Sequence, residues 1–239
     1  MQPTMSDVPK SIGVILDGNR RFAKRLMLKP WKGHEFGAKK VEELFEWCKE
    51  LGIKEVTLYC FSVQNFSRPK EEFDYLMDLF RKEYRKYSDD KRRDELKRDG
   101  VRINFIGRLE MFPDDLQSIM KKLMEETKDG KNYSINFAMG YGGREEVIDA
   151  IRKLAKQVKE GKIDVDKIND EVFADNLYTK AEPELIIRTG GEKRTSNFLL
   201  WQSHYSEWIF LEKAWPEFQK EDFINCLEEF SQRKRRFGR

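Results

Sequence analysis

Short runs of β-branched and aromatic residues alternate along the chain with amphipathic stretches, the pattern of an α/β fold. Six runs predict strands: Ile12–Leu16, Val56–Phe61, Val101–Ile106, Tyr133–Met139, Leu185–Arg188 and Trp208–Leu211. Between them, Val41, Leu44, Phe45 and Cys48 follow the i, i+3, i+4, i+7 spacing of one helix face, as do Phe73, Leu76, Met77 and Phe80, with Tyr84 continuing that face. Val147, Ile148, Ile151, Leu154, Ala155 and Val158 make a third stripe. No repeat and no Pro/Gly/Ser-rich linker interrupts the series. The expectation is a single α/β domain over 1–239, with a central, mainly parallel six-stranded sheet flanked by helices. The charged stretch Arg81–Asp99 predicts a solvated helix end plus loop. Asp89, Asp90 and Asp94 lie within it, but Lys91, Arg92 and Arg93 stand among them and would neutralise a metal cluster, so surface carboxylates are expected there.

Composition narrows the partners. The 46 Lys+Arg and 43 Asp+Glu leave a net charge of only +3, which speaks against a nucleic-acid binder. Cys48, Cys60 and Cys226 are odd in number and form no CxxC pair, so neither a disulfide framework nor a thiolate zinc site is suggested, and a reducing cytoplasm fits. No apolar run approaches the roughly 18 residues that span a bilayer, and the start MQPTMSDVPK has no signal-peptide core. The protein is expected to be cytoplasmic and to meet any lipid at a membrane surface or through a pocket.

In open parallel sheets ligands bind beyond the carboxyl ends of the strands. After the first predicted strand comes Asp17-Gly18-Asn19-Arg20-Arg21, with Phe22-Ala23-Lys24-Arg25 as a helix start. Gly18 and Asn19 tolerate a tight turn, and free N–H groups at the helix start suit a diphosphate. An aspartate at the mouth of such a site repels phosphate unless a divalent cation bridges them, which implies Mg²⁺. An Asp-capped turn accounts for the same residues without a ligand. After the second strand comes Ser62-Val63-Gln64-Asn65-Phe66-Ser67-Arg68-Pro69, followed by Glu72; it also reads as an ordinary helix N-terminus. After the fifth comes Arg188-Thr189-Gly190-Gly191-Glu192-Lys193-Arg194-Thr195-Ser196-Asn197, where two arginines on a Gly-Gly turn suit a second phosphate. Glu207 stands just before the last strand.

Together these motifs resemble those of the cis-prenyltransferases, the family of undecaprenyl and dehydrodolichyl diphosphate synthases. The matches run in order over nearly the whole chain: Asp17–Lys24, Gly33-His34, Phe61–Pro69, Tyr141–Arg144, Arg188–Gln202, Glu207, Trp215-Pro216 and Arg236-Phe237-Gly238. The resemblance implies condensation of isopentenyl diphosphate with an allylic diphosphate, farnesyl or geranylgeranyl, to make a polyprenyl diphosphate such as undecaprenyl diphosphate, a precursor of glycosyl carrier lipid. It implies that Asp17 holds Mg²⁺ and assists departure of the allylic diphosphate, which Gly18, Asn19, Arg20 and Arg21 cradle, with Phe22 and His34 nearby. Asn65, with Ser62 in the segment that includes Val63 and Gln64, would help remove the proton from isopentenyl diphosphate. Phe66, Arg68 and Glu72 would position the allylic substrate. Arg188, Arg194, Thr195 and Ser196 would bind the diphosphate of isopentenyl diphosphate. Glu207, from the partner subunit of a homodimer, would complete the metal site. The growing chain needs an apolar tunnel beside the sheet, with the Val41–Cys48 and Phe73–Tyr84 stripes as candidate walls.

The chain also departs from the pattern of bacterial members. Phe22 and Phe66 replace common tryptophans, and Pro30 stands where a phosphate-contacting arginine is often found, with Lys29 or Lys32 as substitutes. The segment after the Phe73–Tyr84 stripe is longer, which bears on tunnel and product length. An alternative within the family is a non-catalytic partner subunit of a heteromeric enzyme. Such subunits typically lose the Asp-Gly-Asn turn, whereas this chain has both that turn and the closing Arg-Phe-Gly. The basic run Arg233–Arg236 is expected to end a helix, with weak contact to anionic lipid.

Overall fold

The computed structural model describes residues 8–87 and 89–233, so the closing motif Arg236-Phe237-Gly238 and most of the basic run lie outside the described residues. Strands β1 (Ser11–Ile15), β2 (Glu55–Ser62), β3 (Val101–Ile106), β4 (Tyr133–Tyr141), β5 (Leu185–Arg188) and β6 (Glu207–Phe210) form one sheet in the order β3-β4-β2-β1-β5-β6. Every neighbouring pair is parallel, so the sheet is wholly parallel rather than mainly so. Parallel neighbours need crossovers, and helices supply them. Helices α1 (Asn19–Arg25) and α2 (Gly33–Leu51) join β1 to β2, while α3 (Lys70–Tyr87) and α4 (Asp90–Asp99) join β2 to β3. Helix α5 (Asp114–Thr127) joins β3 to β4, α6 (Gly143–Lys159) and α7 (Asp170–Ala174) join β4 to β5, and α8 (Lys220–Gln232) follows β6.

The two faces of the sheet differ in chemistry because side chains alternate along each strand. Ile12, Val14, Val56, Leu58, Ile103, Phe105, Ile135, Phe137, Leu185 and Ile187 share one core with Leu44 and Phe45 of α2, Leu76 and Met77 of α3, Leu116 of α5 and Leu227 of α8. The opposite face carries a polar ladder across four strands. Asn104 Nδ2 donates to Asn136 Oδ1 at 2.9 Å, Asn136 Nδ2 donates to Thr57 Oγ1 at 3.2 Å and to Glu55 Oε1 at 3.3 Å, and Ser11 Oγ donates to Glu55 Oε2 at 3.0 Å. Thr57 and Asn136 are buried, and their partners satisfy them.

Two sequence expectations change. Residues 90–99 are helical, not loop: Asp89 caps the helix by accepting from Lys91 N, Arg93 pairs with Asp90 and Arg92 with Glu95 one turn apart, and Leu96 buries its side chain. The Val147–Val158 stripe is helical as expected, but only Leu154 of it reaches the core. Helix α6 buries Gly143, Glu146, Ala150 and Leu154, while Ile148 and Ile151 stand about half exposed.

Trp215, fully buried, fastens the carboxyl end of β1 to α2: its backbone N–H donates to the Asp17 carbonyl at 2.9 Å and its indole N–H to the Gly37 carbonyl at 2.9 Å. Where α1 crosses α2, only glycine fits. A Cβ on Gly33 would lie 1.9 Å from the Asn19 carbonyl oxygen, although the Gly33 backbone is ordinary right-handed helix. Gly33→Ala should therefore force α1 from α2 and cost about 1–3 kcal/mol, read as a lower urea midpoint at unchanged slope.

Candidate active site

The carboxyl ends of β1, β2 and β5 open into a cleft of about 620 Å³. It gathers Asp17, Gly18, Asn19, Arg20, Arg21 and His34 with Ser62, Gln64, Asn65, Arg68, Arg188, Arg194 and Ser196. Five arginines thus face one carboxylate, a lining that favours an anionic ligand.

The first turn is built by backbone packing. Gly18 has φ of 100°, and a Cβ there would meet the Ala214 Cα at 2.8 Å. Its N–H donates to Asp17 Oδ1 at 2.6 Å, and α1 begins at the next residue, so the first N–H groups of that helix open on the cleft. Asn19 anchors the turn by donating from Nδ2 to the Leu16 carbonyl at 2.8 Å.

Asp17 and Arg188 join the two strand ends. Arg188, 4% exposed, donates from Nη2 to Asp17 Oδ2 at 3.0 Å and from Nη1 to Ser196 Oγ at 2.6 Å and to the Arg194 carbonyl. Arg21 Nη2 lies 3.2 Å from Asp17 Oδ1. On the other wall, buried Glu72 accepts from Arg68 Nη1 at 2.8 Å and lies 3.7 Å from Arg20 Nε, which aims both cations without itself lining the cleft. Ser62 and Asn65 form a reciprocal capping box, with Ser62 N–H donating to Asn65 Oδ1 at 3.0 Å.

Three buried polar atoms here have no partner among the described residues: Asn19 Oδ1, His34 Nε2 and Arg188 Nε. Such atoms are costly unless something else engages them. Burial, then the charges of Arg68 and Arg20, push the His34 pKa down to about 3, so its imidazole is neutral.

Other residues named from sequence sit elsewhere. Phe22 packs edge-on against Phe36 at 5.3 Å, and Phe66 joins an aromatic cluster with Phe61, Phe73 and Phe112. Val63 and Thr195 do not line the cleft. Neither do Lys29 and Lys32, which form exposed pairs with Glu71 and Glu35. Glu207 is the first residue of β6, not a residue before it, and pairs with Arg233 Nη1 at 2.7 Å. In register it stands level with Leu185 and Ile12, at the far end of the sheet from Asp17. Five residues of strand put them about 17 Å apart along the strands alone.

Tyr59 and Asn197 line the cleft although sequence reasoning passed over them. Asn197, left-handed at φ 64° like Ser196 at φ 50°, accepts from Gly143 N through its carbonyl and from Arg144 N through Oδ1, and donates to Glu145 Oε2 at 2.8 Å. These bonds hold the strained turn that presents Ser196. They also tie the Tyr141–Arg144 segment to the Arg188–Gln202 segment. Buried Glu146 adds a second tie, accepting from Tyr141 Oη, Gln202 Nε2 and Tyr178 N. The signal for Asn197 was its place beside Ser196; for Tyr59, inside a strand, there was none.

The cleft shares Leu16, Asn19, His34 and Cys60 with a narrow cavity of about 90 Å³ that runs beside the sheet. Val41 of α2 and Leu79, Phe80 and Tyr84 of α3 wall it, with Phe137 and Trp215. Both expected stripes thus contribute, and the cationic basin and a mainly apolar slot share one wall.

The unfolded chain binds a proton at His34 near pH 6.5 and the folded protein only near pH 3. The stability contributed by keeping His34 neutral is therefore fully present above pH 6.5 and drains away as pH falls toward 3. His34→Gln should shrink the fall in Tm between pH 7.5 and 4.5; an equal fall in both proteins would place the acid sensitivity elsewhere.

The prenyltransferase family model described by undecaprenyl diphosphate synthase matches residues 15–238. A tritrans,polycis-undecaprenyl-diphosphate synthase (geranylgeranyl-diphosphate specific) of Methanopyrus kandleri is 46% identical over 234 residues, 97% of this chain and 85% of the relative. An isoprenyl transferase of Thermus thermophilus is 45% identical over 97% of this chain and 89% of its own length. Among solved structures, lavandulyl diphosphate synthase from Lavandula x intermedia, in complex with dimethylallyl diphosphate, superposes with a TM-score of 0.88 at 30% identity, covering 98% of this chain and all of that one. A probable undecaprenyl diphosphate synthase of Campylobacter jejuni gives 0.77 at 32% identity, covering 97% and 99%. With the motifs in order and the sheet topology shared, this chain belongs to the cis-prenyltransferase family, the undecaprenyl diphosphate synthases, and is a prenyl-transferring enzyme.

Proposed function

We propose that the enzyme elongates an allylic diphosphate with isopentenyl diphosphate to give a long cis-polyprenyl diphosphate of the undecaprenyl class. The observation that carries this reading is the four-residue wall shared by the arginine cleft and the apolar slot, which suits a ligand with a diphosphate head and a hydrocarbon tail. The name of the Methanopyrus relative specifies geranylgeranyl diphosphate, which supports that starter over farnesyl diphosphate. The intact Asp17–Arg21 turn favours a chain that carries its own catalytic site over a non-catalytic partner subunit.

In the reaction the allylic C–O bond breaks and inorganic diphosphate leaves. The terminal alkene carbon of isopentenyl diphosphate bonds to the freed carbon, and a proton is lost from the neighbouring position as a new double bond forms. Arg20, Arg21 and the first N–H groups of α1 would stabilise charge on the leaving diphosphate, more in the transition state than before it. Arg188, Arg194 and Ser196 would hold the second diphosphate. An amide is no base, so Asn65 and Ser62 would act by hydrogen bonding to a diphosphate oxygen that takes the proton. The apolar slot would keep water from the allylic cation.

Mg²⁺ is the cofactor this reading requires. Among the described residues no three His, Cys, Asp or Glu side chains converge as a metal site, and Asp17 is the one carboxylate of the cleft. That set fits a cation held by one or two carboxylates together with substrate phosphates and water. Asp17 would hold it, and the ion would supply charge neutralisation at the departing diphosphate. The position of Glu207, far from Asp17 in its own chain, supports its reaching the site of a second copy. A homodimer also suits the exposed Ile148, Ile151, Leu200 and Tyr205.

With Mg²⁺, isopentenyl diphosphate and geranylgeranyl or farnesyl diphosphate, mass spectrometry should show products growing in five-carbon steps. Failure with every short starter would sink the proposal, and Asp17→Ala should lower turnover by roughly 100-fold or more without unfolding. Mixing inactive Asp17→Ala and Glu207→Gln chains, after subunit exchange, should restore part of the activity. No recovery would mean that Glu207 does not act across subunits.

A further inference from the structure

Helix α1 ends in an unusual way. Leu28 N donates to the Ala23 carbonyl at 2.9 Å and Met27 N to the Lys24 carbonyl at 3.0 Å, a closure that places residue 27 in the left-handed region at φ 57°. Glycine normally occupies that position, because a side chain there is strained. Methionine pays this cost and gains no packing, being 95% exposed. Leu26 and Leu28 beside it are 47% and 41% exposed. Phe36, 40% exposed, meets Phe22, which lies one turn before Leu26 on α1, so the apolar surface is continuous.

We propose that this tip, Leu26-Met27-Leu28 with Phe36, inserts into the headgroup boundary of an anionic lipid bilayer. Three observations favour lipid over a protein partner. The amides of Leu26, Met27 and Leu28 are all bonded within the turn, so no unpaired donor enters an apolar phase. Residues 20–34 contain six Lys and Arg and no Asp or Glu. Among the described residues Lys24 has no ion-pair partner, and the ion pairs of Arg25, Lys29 and Lys32 with Glu217, Glu71 and Glu35 are exposed, so headgroup phosphates can replace them. Four apolar residues are also few against the roughly 20–30 residues that each side of a stable protein interface supplies. Because α1 has seven residues, its other end, in the cleft, would lie about 10 Å from the docked tip.

Co-sedimentation of the full chain with phosphatidylcholine vesicles, with and without phosphatidylglycerol, tests the assignment independently of prenyl transfer. Binding should require the anionic lipid, weaken with salt, and fall about tenfold or more in a Leu26→Ser, Met27→Gly, Leu28→Ser variant. Met27→Gly alone should weaken binding while raising Tm, since glycine relieves the strained turn. That opposite movement separates lost contact from lost fold. Absence of wild-type binding, or undiminished binding by the triple variant, overturns the proposal. So does a change of oligomeric mass in the triple variant without any lipid effect, which would make the tip a contact between copies.

Discussion

The Arg188–Asp17 ion pair is the constraint on which the site depends. The two residues close adjacent parallel strands, and the arginine is buried where its charge would be expensive alone. Its fork divides the work: one nitrogen meets the Asp17 carboxylate, another holds Ser196 and the Arg194 carbonyl, and the third is left without a partner among the described residues. A lysine could not satisfy these partners from one planar group. The pair thereby fixes the separation between the turn that begins α1 and the glycine turn after β5.

Around this pair the charges are arranged by support rather than by number. Glu72 is buried behind Arg68 and Arg20, and Glu192 stands beside Arg21 and Arg194. These carboxylates aim cations without entering the cleft, so the surface met by a ligand stays positive although the chain as a whole is nearly neutral. His34 belongs to the same logic, since its burial between two arginines keeps it neutral.

Much of this was legible in sequence because strand-end chemistry and strand patterning are both local. Asp17–Arg21, Asn65, Arg68 and Arg188–Ser196 could be found from the polar residues that directly succeed each apolar run. What escaped were features set by neighbours distant in the chain. Tyr59 looked like a strand residue, and its hydroxyl meets the carbonyls of Tyr141 and Ser196 only because the fold brings them there. Residues 90–99 looked too polar for a helix, yet a cap, paired charges and one buried leucine suffice. Ile148 and Ile151 share a helix stripe with buried Leu154 yet stand half exposed, because periodicity reports a face without saying what lies against it.

The polar ladder on the second face of the sheet has a consequence for accuracy. Ser11, Glu55, Thr57, Asn104 and Asn136 satisfy one another only in the observed alignment of β1, β2, β3 and β4. A slip of one residue would turn these groups into the aliphatic core and bring isoleucines and valines out in their place. The ladder therefore works as a vernier, setting the relative heights of four strands. The loops after β1, β2 and β4 inherit those heights, so the levels of the Asp17 carboxylate, the Asn65 amide and the Arg144 amide are settled on the opposite side of the sheet from the apolar slot.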